Sequence, residues 1–164
     1  MMDETIAAAK TLIELCAQKK LTIATAESCT GGLVAGALTE IAGSSAVLDR
    51  GFVTYSNTAK QQMLGVPAAT LRDYGAVSRQ TAEAMARGAL AKAKVDLVVA
   101  ITGIAGPGGG SADKAVGLVH FAAASRDGTT MHAAKHYGDI GRAEVRHKSV
   151  RQALEMLKEL AEQD

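Results

Sequence analysis

Residues 96–102 form a nearly continuous apolar run, and this run constrains the fold more than any other part of the sequence. Strands that are buried on both faces have this composition, and they lie at the centre of sheets whose two faces are covered by helices. The longest apolar stretches, such as residues 95–104, are too short to cross a bilayer. The run therefore predicts the central strand of a covered sheet in a protein that has no membrane partner.

Predicted helices and strands alternate before this run. Apolar spacing indicates a first helix capped by Asp3, a buried strand at residues 21–25, and a second helix after a glycine-bearing turn at residues 27–32. A second strand is predicted at residues 51–55, and Ser78 is placed to cap a long helix. Alternation of this kind is typical of an α/β fold with a largely parallel sheet.

The pattern changes after the central run. Residues 103–110 form a glycine-rich loop that no helix follows. Residues 116–124 and 131–137 have the pattern of two strands, and the pair Asp127-Gly128 between them is a hairpin signal. A terminal helix closes the chain. The predicted fold is a three-layer α/β/α sandwich on a mixed sheet.

Composition narrows the classes of function. A length of 164 residues favours a single domain over residues 1–164. The 18 basic and 17 acidic residues nearly balance, and only five residues are aromatic, which disfavours nucleic acid as a partner. The acidic start at residues 1–4 lacks the features of a signal peptide, so a cytoplasmic location is expected. Cys16, Cys29 and the four histidines have no metal-ligand spacing, so no metal site is expected.

The turn after the first strand carries hydroxyl side chains. A hydroxyl at this position lies at the sheet edge beside backbone N–H groups that can hold an oxyanion. Ser28 is therefore a candidate nucleophile, and Cys29 is a rival with no histidine in the turn to activate it. A simpler interpretation is that Ser28 or Thr30 caps the following helix, as serine and threonine usually do.

Lys60 is predicted to lie near the start of a short helix after the second strand. Thr58 and Gln61 fit a capping box, which places Lys60 in the first helical turn. The helix dipole disfavours a charged lysine there, and a neutral lysine can act as a base on serine. The alternative is an ordinary surface lysine, which is the commoner case. Tyr55, at the end of the strand, is either a wall residue or a ring that packs against substrate.

The glycine-rich segment at residues 102–111 follows the carboxyl end of the central strand, where open α/β sheets place their ligands. It fits neither a P-loop nor a dinucleotide fingerprint. Two interpretations remain, a backbone-lined cradle for a small polar or anionic ligand and a plain flexible turn. Arg142, near the start of the last helix, adds a cation beside free N–H groups, which is the chemistry of a phosphate site.

Four segments occur together in the order TAESCTGG at residues 25–32, GFVTYSN at 51–57 followed by Lys60, GAVS at 75–78, and GIAGP at 103–107. In this combination the chain closely resembles the nicotinamide-nucleotide amidase family, the C-terminal domain of the competence/damage-inducible protein CinA. The resemblance covers nearly the whole chain. It leaves no room for the N-terminal domain of longer members, so a stand-alone form is expected.

The resemblance implies a five-stranded, mostly parallel sheet with one antiparallel strand. It also implies hydrolysis of the carboxamide of nicotinamide mononucleotide to nicotinic acid mononucleotide and ammonia, a pyridine nucleotide salvage reaction, without a cofactor. Ser28 matches the nucleophile, Lys60 the general base, and Tyr55 and Thr102 residues that complete the catalytic site. The residues expected to bind substrate are Cys29, Thr30, Gly31, Gly103, Gly106 and Arg142.

One position departs from the family pattern, and two other functions stay open. Ala115 stands where many members carry proline, which releases a backbone constraint beside the glycine loop. The same pocket would serve a nucleotide-binding or interaction module that does not turn over its ligand, or an amidase for another small carboxamide. Small enzymes with alanine-rich helices often self-associate, so a homo-oligomer is expected.

Overall fold

The computed structural model of the chain describes residues 2–163. Six helices are observed, α1 (Asp3–Lys19), α2 (Leu33–Thr39), α3 (Asn57–Leu64), α4 (Ala68–Tyr74), α5 (Arg79–Ala93) and α6 (Arg142–Gln163), with a short 3-10 turn at Ser44–Ala46. Five strands are observed, β1 (Ile23–Glu27), β2 (Leu48–Val53), β3 (Leu97–Gly103), β4 (Leu118–Ser125) and β5 (Thr130–His136).

The strands form one sheet in the order β2-β1-β3-β4-β5. The first strand pairs in parallel with β2 and β3, and β4 pairs antiparallel with β3 and β5. One strand, β4, therefore runs against the other four. Helices α1, α2 and α6 cover one face of the sheet, and α3, α4 and α5 cover the other. The predicted three-layer α/β/α sandwich with a mixed, mostly parallel sheet is confirmed.

The two faces of the sheet are packed by different side chains. The face under α1, α2 and α6 is filled by large residues such as Leu12, Phe121 and Leu157. On the α5 face, ten of the fifteen buried core residues are alanine. Small side chains let a helix lie close to its neighbours, and at Gly88 of α5 an added Cβ would stand 1.9 Å from the carbonyl oxygen of Leu64 in α3. Helix α3 is thus held tightly against α5.

Several predicted boundaries were wrong for local reasons. Strand β2 begins at Leu48 rather than residue 51, because this edge strand carries exposed polar side chains that hide its pattern. Helix α4 was not predicted from the sequence, and it ends at Gly75. Asp3 is the first helical residue rather than the cap of α1.

Candidate active site

A cleft of about 240 Å³ opens at the carboxyl ends of β1 and β3. From β1 the chain continues to β2 on one side, and from β3 it continues to β4 on the other side, and the point between two such strands is where open α/β sheets leave a crevice for ligands. Eight of the ten predicted site residues line the cleft, namely Ser28, Cys29, Tyr55, Lys60, Thr102, Gly103, Gly106 and Arg142.

Ser28 and Lys60 are in direct contact in this cleft. The Nζ of Lys60 lies 3.0 Å from the Oγ of Ser28 and donates to the carbonyl of Thr54 at 2.9 Å. The residues of β1 alternate between faces, so Glu27 points toward α2 while Ser28 points toward α3, which carries Lys60. The serine is only 8% exposed and lines the cleft. A hydroxyl and an amine at this distance can exchange a proton.

Lys60 is a buried residue, so the interpretation as a surface lysine is wrong. It is 1% exposed and is among the largest fully buried side chains of the protein. Burial lowers the pKa of Lys60 below its ordinary value of 10.5, because a charged amine loses its hydration there. Ser56, not Thr58, caps the helix by accepting a hydrogen bond from the N–H of Ala59 at 3.0 Å. Burial, rather than the helix end, is the main reason for the lowered pKa.

Cys29 is poorly suited to act as the nucleophile. Its side chain is 5% exposed, and burial raises the pKa of its thiol to about 12. The thiolate is the reactive form of cysteine, so the group stays protonated and unreactive near neutral pH.

Backbone donors in the turn after β1 are only partly available. The N–H of Ser28 continues the sheet by donating to Ile101, and that of Gly31 donates to the carbonyl of Ser28. Within residues 2–163, the N–H of Thr30 has no backbone hydrogen-bond partner, and the N–H of Cys29 interacts with the thiol of its own residue. Of these two residues, Cys29 lines the cleft.

Thr30 and Gly31 differ from the expectation that they bind substrate directly. Neither residue lines the cleft. The Thr30 side chain is fully buried, and its hydroxyl donates to Glu27 at 2.7 Å, on the side of the turn that faces α2. Gly31 is exposed and has a φ of 58°, a left-handed conformation that lets the chain turn into α2.

Arg142, the first residue of α6, also lines the cleft. Its guanidinium donates to the carbonyl of Gly106 at 2.8 Å and to the hydroxyl of Tyr55 at 2.7 Å. This pair of contacts ties the glycine-rich loop to the end of β2. These two bonds use only some of the N–H donors of the Arg142 guanidinium, which leaves others for an anion in the cleft.

Thr102 and the glycine loop also line the cleft. The hydroxyl of Thr102 donates to the carbonyl of Ala76 at 2.8 Å, which joins β3 to the segment before α5. Lys114 donates to the carbonyl of Tyr74 and so anchors the far end of the loop. At Gly106 (φ 86°), a Cβ would also stand 2.6 Å from Val116, so glycine is required by both conformation and space.

The sequence analysis missed three residues that shape the site. Glu27 is a buried carboxylate that organises the turn, and Arg146 donates to the carbonyl of Cys29 at 3.1 Å from α6. Asn57 lines the cleft one helical turn before Lys60. The position of Arg146, four residues after Arg142, was the available signal, since such residues share a helix face.

Two further observations concern the described part of the chain. Across residues 2–163, no three histidine, cysteine, aspartate or glutamate side chains come together as metal ligands. In the same residues, every helix is too short or too polar to serve as a membrane span.

Comparison with known proteins gives consistent results. Residues 5–161 match the family described as the CinA C-terminal domain. A relative from Enterobacter agglomerans, named nicotinamide-nucleotide amidohydrolase PncC, is 57% identical over 112 residues, which is 68% of each chain. A CinA-like protein from Geobacter sulfurreducens is 52% identical over 84% of this chain but only 33% of its own length. The chain thus spans about a third of several curated relatives.

Solved structures match the whole fold. The crystal structure of a competence/damage inducible protein, CihA, from Agrobacterium tumefaciens superposes with a TM-score of 0.95 at 58% identity, over 96% of this chain and 95% of that one. The family model, the sequence relatives and this structural match all agree. The chain belongs to the CinA C-terminal domain family.

Proposed function

We propose that the protein is an amidohydrolase that converts nicotinamide mononucleotide to nicotinic acid mononucleotide and ammonia. The observation that carries this proposal is the 3.0 Å contact between the buried amine of Lys60 and the hydroxyl of Ser28 inside a cleft. A buried lysine beside a serine is suited to activating it for attack on an amide. The name of the Enterobacter agglomerans relative supports the choice of substrate.

Acylation begins when neutral Lys60 takes the proton of Ser28 as the serine Oγ attacks the carboxamide carbon. The C–O bond forms while the carbonyl electrons move to the oxygen. The N–H of Cys29, a residue that lines the cleft, donates to no other backbone group in residues 2–163 and would stabilise this oxyanion. Protonated Lys60 then returns the proton to the leaving nitrogen, and ammonia departs.

Deacylation repeats the same steps with water. Lys60 takes a proton from the attacking water, the acyl–oxygen bond to Ser28 breaks, and the proton passes back to the serine. Thr54 holds the amine in place through its carbonyl during both steps. Tyr55 and Thr102 border the reacting group as cleft residues.

Arg142 and the glycine loop are suited to the nucleotide end of the substrate. The guanidinium lines the same cleft as Lys60 and would provide charge-assisted donors for a phosphate. Contacts to this remote group would hold the carboxamide against Ser28, so that binding energy contributes to positioning.

The test is to incubate the protein with nicotinamide mononucleotide in the presence of EDTA and to detect nicotinic acid mononucleotide by mass spectrometry. We expect product from the unaltered protein and a loss of at least about 1,000-fold for Ser28→Ala and for Lys60→Met, because each removes a member of a unit that acts together. Ser45→Ala and Lys10→Ala remove an exposed serine and an exposed lysine and serve as matched controls.

Two results would redirect the interpretation. Absence of product from a folded protein that still binds the mononucleotide would favour a binding module. Turnover of other carboxamides in preference to the mononucleotide would favour an amidase of different specificity. A thiol mechanism predicts inactivity of Cys29→Ala, whereas the serine mechanism predicts that this variant keeps most of its activity, since its backbone N–H is retained.

A further inference from the structure

Glu27 has an unusually complete set of hydrogen bonds for a buried carboxylate. It is 1% exposed and accepts from the hydroxyls of Thr25 and Thr30 at 3.2 and 2.7 Å. It also accepts from the N–H groups of Gly32, Val34 and Ala35 at 2.9–3.2 Å. These three N–H groups lie at the start of α2, so the carboxylate meets the positive end of the helix as well.

The backbone of the same residue reaches the other half of the proposed dyad. The carbonyl of Glu27 accepts from the N–H of Thr54 at 2.8 Å, and the carbonyl of Thr54 accepts from Lys60. Ser28 is the next residue in the chain. Glu27 therefore connects through its side chain to the turn after Ser28 and through its backbone to the segment that holds Lys60.

Only a carboxylate satisfies the donors that converge here. Oε1 accepts from Thr30, Gly32 and Val34, and Oε2 accepts from Thr25 and Ala35, so each oxygen faces at least one backbone N–H, a group that can only donate. The isosteric amide of glutamine would turn one acceptor into an NH₂ group and place it against N–H donors. The turn would then have to shift to separate them, because unpaired buried donors are costly.

We propose that Glu27 is the positioning residue that fixes the Ser28–Lys60 spacing and the orientation of the turn that carries the Cys29 N–H. This inference rests on the proposed serine–lysine function. Glu27 touches neither the substrate cleft nor the reacting atoms, so its effect passes through the backbone on both sides of Ser28. A displacement of the dyad by a fraction of an ångström is enough to slow the chemistry.

The experiment measures phosphonylation of Ser28 by a serine-directed fluorophosphonate, because this reaction does not depend on the identity of the natural substrate. The serine oxygen bonds to phosphorus, fluoride leaves, and Lys60 takes the hydroxyl proton. In the unaltered protein the rate should rise with pH as Lys60 loses its proton, with a midpoint below 10.5. The Ser28→Ala variant gives the background rate of labelling at other residues.

For Glu27→Gln we expect labelling to slow by about tenfold or more, because the dyad is misaligned. We also expect the labelling rate no longer to increase with pH as Lys60 loses its proton. A merely structural role would lower the folded fraction and scale the whole pH curve down without moving its midpoint. Glu40→Gln, at the exposed end of the same helix, is the matched control and should behave like the unaltered protein.

A milder pair of variants keeps the inference testable if Glu27→Gln does not fold. Thr30→Val removes one hydroxyl donated to Glu27 at constant shape, and we expect labelling to slow by about threefold. Thr30→Ser retains the hydroxyl and should restore the rate, while Thr39→Val tests the same change at an exposed site.

The outcomes separate the two proposals. If the unaltered protein is not labelled at Ser28, or if Lys60→Met labels as fast as the unaltered protein, the serine–lysine function is wrong and the role of Glu27 falls with it. If labelling depends on Lys60 but Glu27→Gln and Thr30→Val keep the normal rate and midpoint, the function stands and the inference about Glu27 is overturned.

Discussion

The amine of Lys60 lies in surroundings that favour its uncharged form, and this has a consequence for stability as well as for activity. Burial keeps the folded-state pKa of Lys60 below 10.5, so between these two values the unfolded chain binds more protons than the folded one. The unfavourable contribution is fully present below the folded-state pKa. It decreases as the pH rises through the window and is gone above 10.5.

Lys60→Met should therefore remove activity and raise thermal stability at pH 7, because methionine fills the buried space without a charge to desolvate. The gain in Tm over the unaltered protein should shrink as the pH is raised from 7 to 10. Thermal unfolding of both proteins across this range measures it. A gain that is constant with pH would show that Lys60 titrates alike in the folded and unfolded chains.

At the residue scale, the motifs predicted the candidate site residues but not the contacts that hold their side chains in place. Ser28, Lys60 and Arg142 were all singled out from the sequence, and the cleft brings them together. The burial of Lys60 could not be predicted, because it depends on how α3 packs against α5. The role of Glu27 was missed because its five donors come from three separate stretches of β1, the turn and α2.

At the scale of elements, two helical glycines should respond in opposite ways to the same substitution. Gly88→Ala would place a methyl group 1.9 Å from the carbonyl oxygen of Leu64, so α3 must move, and we expect a loss of about 1–3 kcal/mol in the free energy of unfolding. Gly36 in α2 has open space at its Cβ, and Gly36→Ala should add about 0.5–1 kcal/mol.

Denaturant unfolding of the two variants tests the packing of α3 directly. The difference between the two variants is the informative quantity, because both glycines lie inside helices and both substitutions give the same gain in helix propensity. Equal stabilisation by both substitutions would mean that α3 and α5 are not in close contact.

The apolar periodicity of the sequence predicted best the helices that bury one face and the strands that are buried on both faces. Strand β3 was placed within one residue of its observed bounds, and the cap of α5 at Ser78 was predicted correctly, because their apolar patterns are long. Helix α4 has no buried residue and therefore no apolar stripe to detect. Strand β2 has an exposed middle, so neither alternation nor a continuous run marks it.

At the scale of the whole molecule, the last helix returns to the cleft and adds Arg142 to a site built near the other end of the chain. We expect Arg142→Ala to raise KM for nicotinamide mononucleotide by at least about tenfold, because a charge-assisted pair with phosphate is lost. The variant should have little effect on KM for the riboside, which lacks the phosphate. Arg151→Ala, an exposed arginine on the same helix, is the control.

An equal loss on both substrates would contradict a phosphate role for Arg142 and point to its bonds with Gly106 and Tyr55 as the important contacts. The fold class and the position of the cleft followed from the order of strands and helices. The homo-oligomeric state and the cytoplasmic location stay predictions, and sedimentation velocity is the direct measurement of the first.

The alanine face of the sheet has a consequence beyond close packing. Ser28 directly follows β1 and Lys60 lies in α3, so the thickness of the layer of small side chains between the sheet and the helices sets the distance between the two groups that we propose to react. We expect a single alanine-to-valine substitution in this layer to increase the distance between Ser28 and Lys60 without unfolding the chain. We expect such variants to fold but to lose the proposed activity, although the altered residue lies outside the cleft.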